Sequence, residues 1–210
     1  MQTDFIQIAT RQHSGQEPPA RTHYAAEVAV LPLALDWVNA LQGFAYRVRN
    51  EKLADALPIE EAVAADLYRL LDSQTNLMRL GPVISIYDLA LVATNLFRLD
   101  NFFGVEGDMR HIGPNKVFIN TSAEAVYYDV INEPGETCFE IIRRNYDAAM
   151  LMQFLAPFHE IDLSALVSQL PVRRLVIAPN HALVPPTETL FHRAQSAGQM
   201  LVLHGYFRAA

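Results

Sequence analysis

His181 and His204, each placed at the end of an apolar run, are the residues best suited to general acid–base chemistry. An imidazole titrates near neutral pH, so it takes or returns a proton where few other side chains do. Asn180 precedes His181 and adds an amide that both donates and accepts hydrogen bonds. Glu188 and His192 stand four positions apart, the spacing that places two side chains on one helix face. The candidate set is therefore His181 and His204 as catalytic groups, with Asn180, Glu188 and His192 as ligand-binding groups. The plainer account of the same residues is a turn asparagine, partly exposed histidines and a surface ion pair. A two-point metal grip by Glu188 and His192, with His181 as third ligand, competes with that ion pair, and no metal site is assigned.

Other chemistry-bearing residues say less. Glu106, Asp108 and His111 lie in the glycine-punctuated stretch 100–115 without the spacing of a calcium loop or a zinc protease. Cys138 is the one cysteine, which excludes an internal disulfide and every multi-cysteine zinc site and fits a reducing, cytoplasmic setting. The chain has no Gly-x-Ser-x-Gly elbow, no Gly-x-x-x-x-Gly-Lys and no Gly-x-Gly-x-x-Gly, which removes several common hydrolase and nucleotide-binding designs. Which cofactor, if any, the chain uses is unknown from the sequence. A net charge of −7 without a basic cluster argues against nucleic acid, whose phosphates need a concentrated positive surface. No apolar run reaches the ~20 residues of a membrane-spanning helix.

The elements that must position these residues follow from periodicity. Residues 1–22 form a mobile or loosely packed N-terminal arm, with strand character at Phe5, Ile6 and Ile8 and a polar, proline-bearing stretch from Ser14 to Arg21, and 23–210 a single globular domain. Val28 to Leu31 has strand character, and Leu35, Val38, Leu41, Ala45 and Val48 recur at helical spacing up to about Ala56. Pro58 opens a second helix that Gly81-Pro82 stops. The run Ser85 to Leu99, apolar on several faces, predicts a central buried helix, with a strand over Val83 to Tyr87 as the competing assignment. Lys116 to Asn120 predicts a strand, and helices follow over Ser122 to Val130, Glu136 to Leu155 and Leu163 to Leu170. Arg173 to Ala178, a helix over Pro186 to Ala197 and a strand over Met200 to Leu203 make a parallel β-α-β unit. In open parallel sheets ligands sit at the carboxyl ends of strands, which brings His181 and His204 to one rim. The expected fold is α/β (or α+β) and helix-rich, with five or six helices and a small mixed sheet.

The run Arg174-Leu175-Val176-Ile177-Ala178-Pro179-Asn180-His181-Ala182-Leu183-Val184-Pro185, followed by a helix, resembles the strand-to-helix passage of CHAT-type caspase-like peptidase domains. Leu203-His204-Gly205 is similar to their catalytic His-Gly. That family places its cysteine after the histidine, whereas five residues follow Gly205 here and none is cysteine, so the resemblance implies no complete peptidase.

With 51% hydrophobic and 19% charged residues, the chain has either a large core or a surface covered by a partner. The leading expectation is a non-catalytic interaction or scaffold protein, or a regulatory subunit, working with a protein partner or as a homo-oligomer. A small hydrolase with a histidine–acid site at the strand rim is the second reading, and a small-ligand sensor the third.

Overall fold

The structure, a computed structural model, describes residues 4–7, 27–50, 61–73, 77–95, 97, 115–132, 144, 170–185 and 190–209. Along them run β1 (Asp4–Gln7), β2 (Glu27–Pro32), α1 (Leu35–Asn50), α2 (Glu61–Asp72), β3 (Leu77–Leu91), β4 (Asn115–Asn120), β5 (Val126–Ile131), β6 (Val172–Ile177), β7 (His181–Val184), β8 (His192–Ala194) and β9 (Gly198–Ala209). Two helices stand among nine strands in the described residues, so the helix-rich expectation is corrected.

The strands form two antiparallel sheets. The larger has the order β1-β2-β7-β4-β9-β3 and the smaller β6-β5-β8. The segment around Thr94 extends the smaller sheet, since its amide donates to the Ala194 carbonyl beside β8 (3.0 Å). Side-chain alternation sets the layers. Val117, Ile119, Leu201, Leu203, Ala182 and Leu31 face the helices and share a core with Trp37, Leu41, Phe44 and Leu67. Phe118, Met200, Val202, Leu183 and Val28 face the other way and meet Val126, Tyr128, Val130, Leu175 and Ile177 of the smaller sheet. Three layers result: helices, large sheet, small sheet.

The chain passes between the sheets four times by short connections: β3 to the segment at Thr94, β4 to β5, β6 to β7 and β8 to β9. This alternation is that of a jelly roll. All four lie at the end where Asn120 stands, because Leu91 pairs with Gly198 and Asn120 with Met200. Buried Asn120 clamps this end: its amide donates to the carbonyls of Ile177 and Glu124 (2.8 Å each) and accepts from the Ser122 amide (2.9 Å). At the opposite end β4, β6 and β8 begin and β5 and β7 end, the strand ends that flank the longer connections in the sequence.

Three expected elements take another form, and a fourth is cut short: the helix expected to run to Gly81-Pro82 ends at Asp72, and both of those residues lie within β3. The predicted helix 85–99 is, up to Leu91, part of β3, which gave the competing strand assignment its place. This strand sends apolar residues to both cores, Val83 and Ile86 to one and Leu91 to the other, and so imitates a buried helix. The predicted helix 122–130 is a turn followed by β5, where tertiary pairing overrides the helix preference of its alanines and glutamate. The predicted helix 186–197 contains β8, and the residues on either side of it, β6 and β9, lie in different sheets without a parallel partner. The β-α-β unit is thus corrected, and with it the strand-to-helix passage on which the peptidase resemblance rested. Of the expected helix 136–155 only Arg144 is described, in helical form, and of 163–170 only Leu170, in a bend; of the arm 1–22 only Asp4–Gln7 is described, as β1, and of the stretch 100–115 only Asn115, where β4 begins.

Candidate functional site

A polar row crosses the inner face of the large sheet at its long-connection end. Lys116 of β4 pairs with His204 of β9, and His204 pairs with Ser85 of β3. Directly opposed residues share a face, and two-residue alternation places these three on the side of Phe118, Val202 and Leu89, toward the smaller sheet. All three are half-buried, between the sealed interior and solvent. Tyr87, one step deeper beside Val202, is more exposed. On the facing sheet Arg173, opposite Val130, is exposed and has the inward parity of Leu175 and Ile177. A lysine, a histidine, a serine and an arginine therefore rim the mouth of an otherwise apolar sandwich.

His192 lies just inside this rim. It pairs with Val130 across β5 and β8 and is 1% exposed. Its ring stacks on Tyr128 (centroids 6.1 Å apart, planes at 24°) and packs 6.2 Å from Phe118, which itself lies 5.4 Å from Tyr128. His192 Nδ1 is 3.0 Å from the Leu190 carbonyl oxygen. A carbonyl only accepts, so Nδ1 donates, and in the neutral ring Nε2 carries the lone pair. That tautomer suits a proton acceptor or a nitrogen ligand.

On the outer face of the smaller sheet, Asp129 is 2% exposed and meets two guanidinium groups. Arg174 Nε donates to Oδ1 (2.9 Å), and Arg193 Nη2 donates to Oδ2 (3.1 Å). The Asp129 carboxylate, first by hydrogen bonding and then by charge, raises the pKa of Arg174 above its ordinary value.

The sequence-derived candidates separate into two groups. His204 and His192 belong to the mouth end. His181 and Asn180 belong to the sealed end, because the β4–β7 register continued by one residue sets His181 opposite Asn120. His181 and His204 thus sit beside β4 four residues apart, roughly 13 Å along the strand at about 3.3 Å per residue. Asn180 forms the turn into β7 with φ 58°, and His181 Nδ1 lies 2.9 Å from the Pro179 carbonyl oxygen. Glu188 lies outside the described residues. Sequence reasoning missed Lys116 and Ser85, and only the pairing of three non-consecutive strands joins them to His204.

No family model matches this chain, and no curated protein does. Among solved structures it is similar to two crystal structures of the Kdo hydroxylase KdoO, described as a non-heme Fe(II) alphaketoglutarate dependent dioxygenase. One holds succinate and Fe(III), with a TM-score of 0.43 and 13% identity over 84% of this chain. The other holds alphaketoglutarate and Fe(III), with the same TM-score and 12% identity over 84% of this chain. The chain spans 64% and 65% of those chains' lengths. The expectation of a non-catalytic scaffold or regulatory subunit is not what these comparisons returned: the similar chains are an enzyme's. The apolar content that suggested it is placed in two buried layers, one on each face of the large sheet. Among the described residues no three His, Cys, Asp or Glu side chains group as metal ligands, and Asp129 is engaged by arginines on the outer face. The described donor set does not fit an iron centre, so no step is drawn through one. No helix among the described residues is long and apolar enough to cross a membrane.

Proposed function

We propose that this chain is an enzyme that takes a small carboxylate-bearing substrate into the long-connection mouth of its sandwich. The observation that carries the reading is the Lys116–His204–Ser85 row, half-buried on one inner face with His192 just beyond it. Lys116 supplies the positive charge for a carboxylate, and His204 and Ser85 supply hydrogen-bond donors beside it. Arg173 favours the same sign of ligand from the facing sheet. His192, with its proton held on Nδ1 by Leu190 and its ring packed with Phe118 and Tyr128 into a buried aromatic floor, keeps the Nε2 lone pair as a proton acceptor beneath the row. The floor excludes water, which strengthens each polar contact above it. Long connections at one end of a rigid sandwich are the usual place for such sites. The single Cys138 suits a reducing compartment, and we place the chain in the cytoplasm.

Calorimetric titration with succinate and with α-ketoglutarate, with and without added Fe(II), tests the reading. The wild type is expected to bind at least one of them, and Lys116→Met to bind it ten- to a hundredfold more weakly. That factor is the loss of a charge-assisted hydrogen bond, about 1.5–3 kcal/mol. Equal affinity in wild type and Lys116→Met, or no binding by a folded wild type, overturns it.

A further inference from the structure

Arg193 follows His192 in the three-residue strand β8, and its side chain lies on the opposite, outer face. Its guanidinium is held from three sides. Nη2 and Nε donate to Asp129 Oδ2 (3.1 and 3.3 Å), Nη1 donates to the Asn95 carbonyl (3.1 Å), and the group lies 4.3 Å from the centre of the Phe97 ring. Arg193 is 15% exposed, and both Asp129 and Phe97 are buried. One side chain thus ties β8 to β5 on one flank and to the segment 94–97 on the other.

We infer that Arg193 is a positioning residue for His192, fixing the height and tilt of the imidazole at the mouth. The inference rests on the mouth reading only for what His192 does, not for how it is held. The strand pairs with β5 at three residues, backbone bonds at Phe191 and Gln195 extend that flank, and a single backbone bond, from the Thr94 amide to the Ala194 carbonyl, ties the other, where the Arg193 side chain adds its hold. A planar guanidinium with several donors fixes position and angle together, which a lysine, as a point charge, does not. Gln195 reinforces the same flank, donating from Nε2 to the Thr94 carbonyl (3.0 Å). Arg174 shares the Asp129 carboxylate, but it stands on β6, is largely exposed and reaches neither Asn95 nor Phe97 among its bonds.

Nuclear magnetic resonance of the His192 ring, assigned by its loss in His192→Gln, reads this directly and without any ligand. Stacking on Tyr128 gives the ring a ring-current shift that changes when β8 moves. Arg193→Ala is expected to shift the ring resonances and to weaken carboxylate binding about tenfold, the scale of one lost hydrogen bond. Arg193→Lys is expected to shift them too, which separates the fork from the charge, and it keeps the reading testable should the alanine variant not fold. Arg174→Ala is expected to leave them in place. His192 resonances unchanged in Arg193→Lys and Arg193→Ala overturn the inference, as does an equal shift in Arg174→Ala. A wild type that binds no carboxylate, with the Arg193 shifts present, overturns the mouth reading and leaves this one standing.

Discussion

Asn180 shows how one side chain lets the sandwich close. The chain reverses between β6 and β7 through Ala178 to His181, where the His181 amide donates to the Ala178 carbonyl (3.1 Å). Pro179 sets the second position, and Asn180 takes the left-handed third position at φ 58°. Asparagine tolerates that region better than other residues with a Cβ, and a β-branched residue tolerates it poorly. Asn180→Val is therefore expected to lose about 1–2 kcal/mol in urea unfolding, and Asn180→Gly to stay close to wild type. Equal stability of the valine variant would remove the turn from the account. Turn chemistry at Pro179-Asn180 was legible in the sequence because it depends on two neighbouring residues. Its consequence was not: the turn passes the chain to the other sheet instead of opening a helix.

At the scale of elements, the turn between β8 and β9 shows why Gly198 begins a strand instead of ending a helix. A Cβ added there would lie 2.6 Å from Val126 Cγ2 and 3.1 Å from Ser122 Oγ, so β9 passes close over the start of β5. Ser122, expected to cap a helix, instead accepts from the Gln199 amide (2.7 Å) across this crossing. Gly198→Ala is expected to cost about 1–3 kcal/mol by overpacking, and Val126→Ala in the same chain to recover part of that loss. A Gly198→Ala variant as stable as wild type, by thermal or urea melts, would show that the crossing relaxes freely. Strands β2, β4, β6 and β9 and helix α1 were legible, because each carries its own period or apolar run. Strands β3, β5 and β8 were not: β3 sends apolar residues to both cores, and β5 and β8 owe their strand form to partners distant along the chain.

Across the molecule, one large sheet serves two cores, and the only tryptophan reports on one of them. Trp37 of α1 is buried in the helix-side core and donates from Nε1 to the Leu70 carbonyl of α2 (2.6 Å). The far side of the same sheet holds Phe118, Tyr128 and Met200. Because β4, β7 and β9 contribute to both layers, loss of the sheet exposes both at once. Unfolding followed by Trp37 fluorescence and by far-ultraviolet circular dichroism is therefore expected to coincide in one transition. Two separated midpoints would show that the helical layer comes away by itself.

The sequence by itself determined the amount of core, the turn at Asn180, the edges of several strands, and the absence of disulfide, Walker and serine-elbow chemistry. Those follow from composition and from neighbours along the chain. Only the tertiary structure decided that β3, β4 and β9 lie side by side, which puts Ser85, Lys116 and His204 in one row and sends His181 to the other end. Side-chain convergence depends on strand order and register, and hydrogen bonds between strands far apart in sequence fix both.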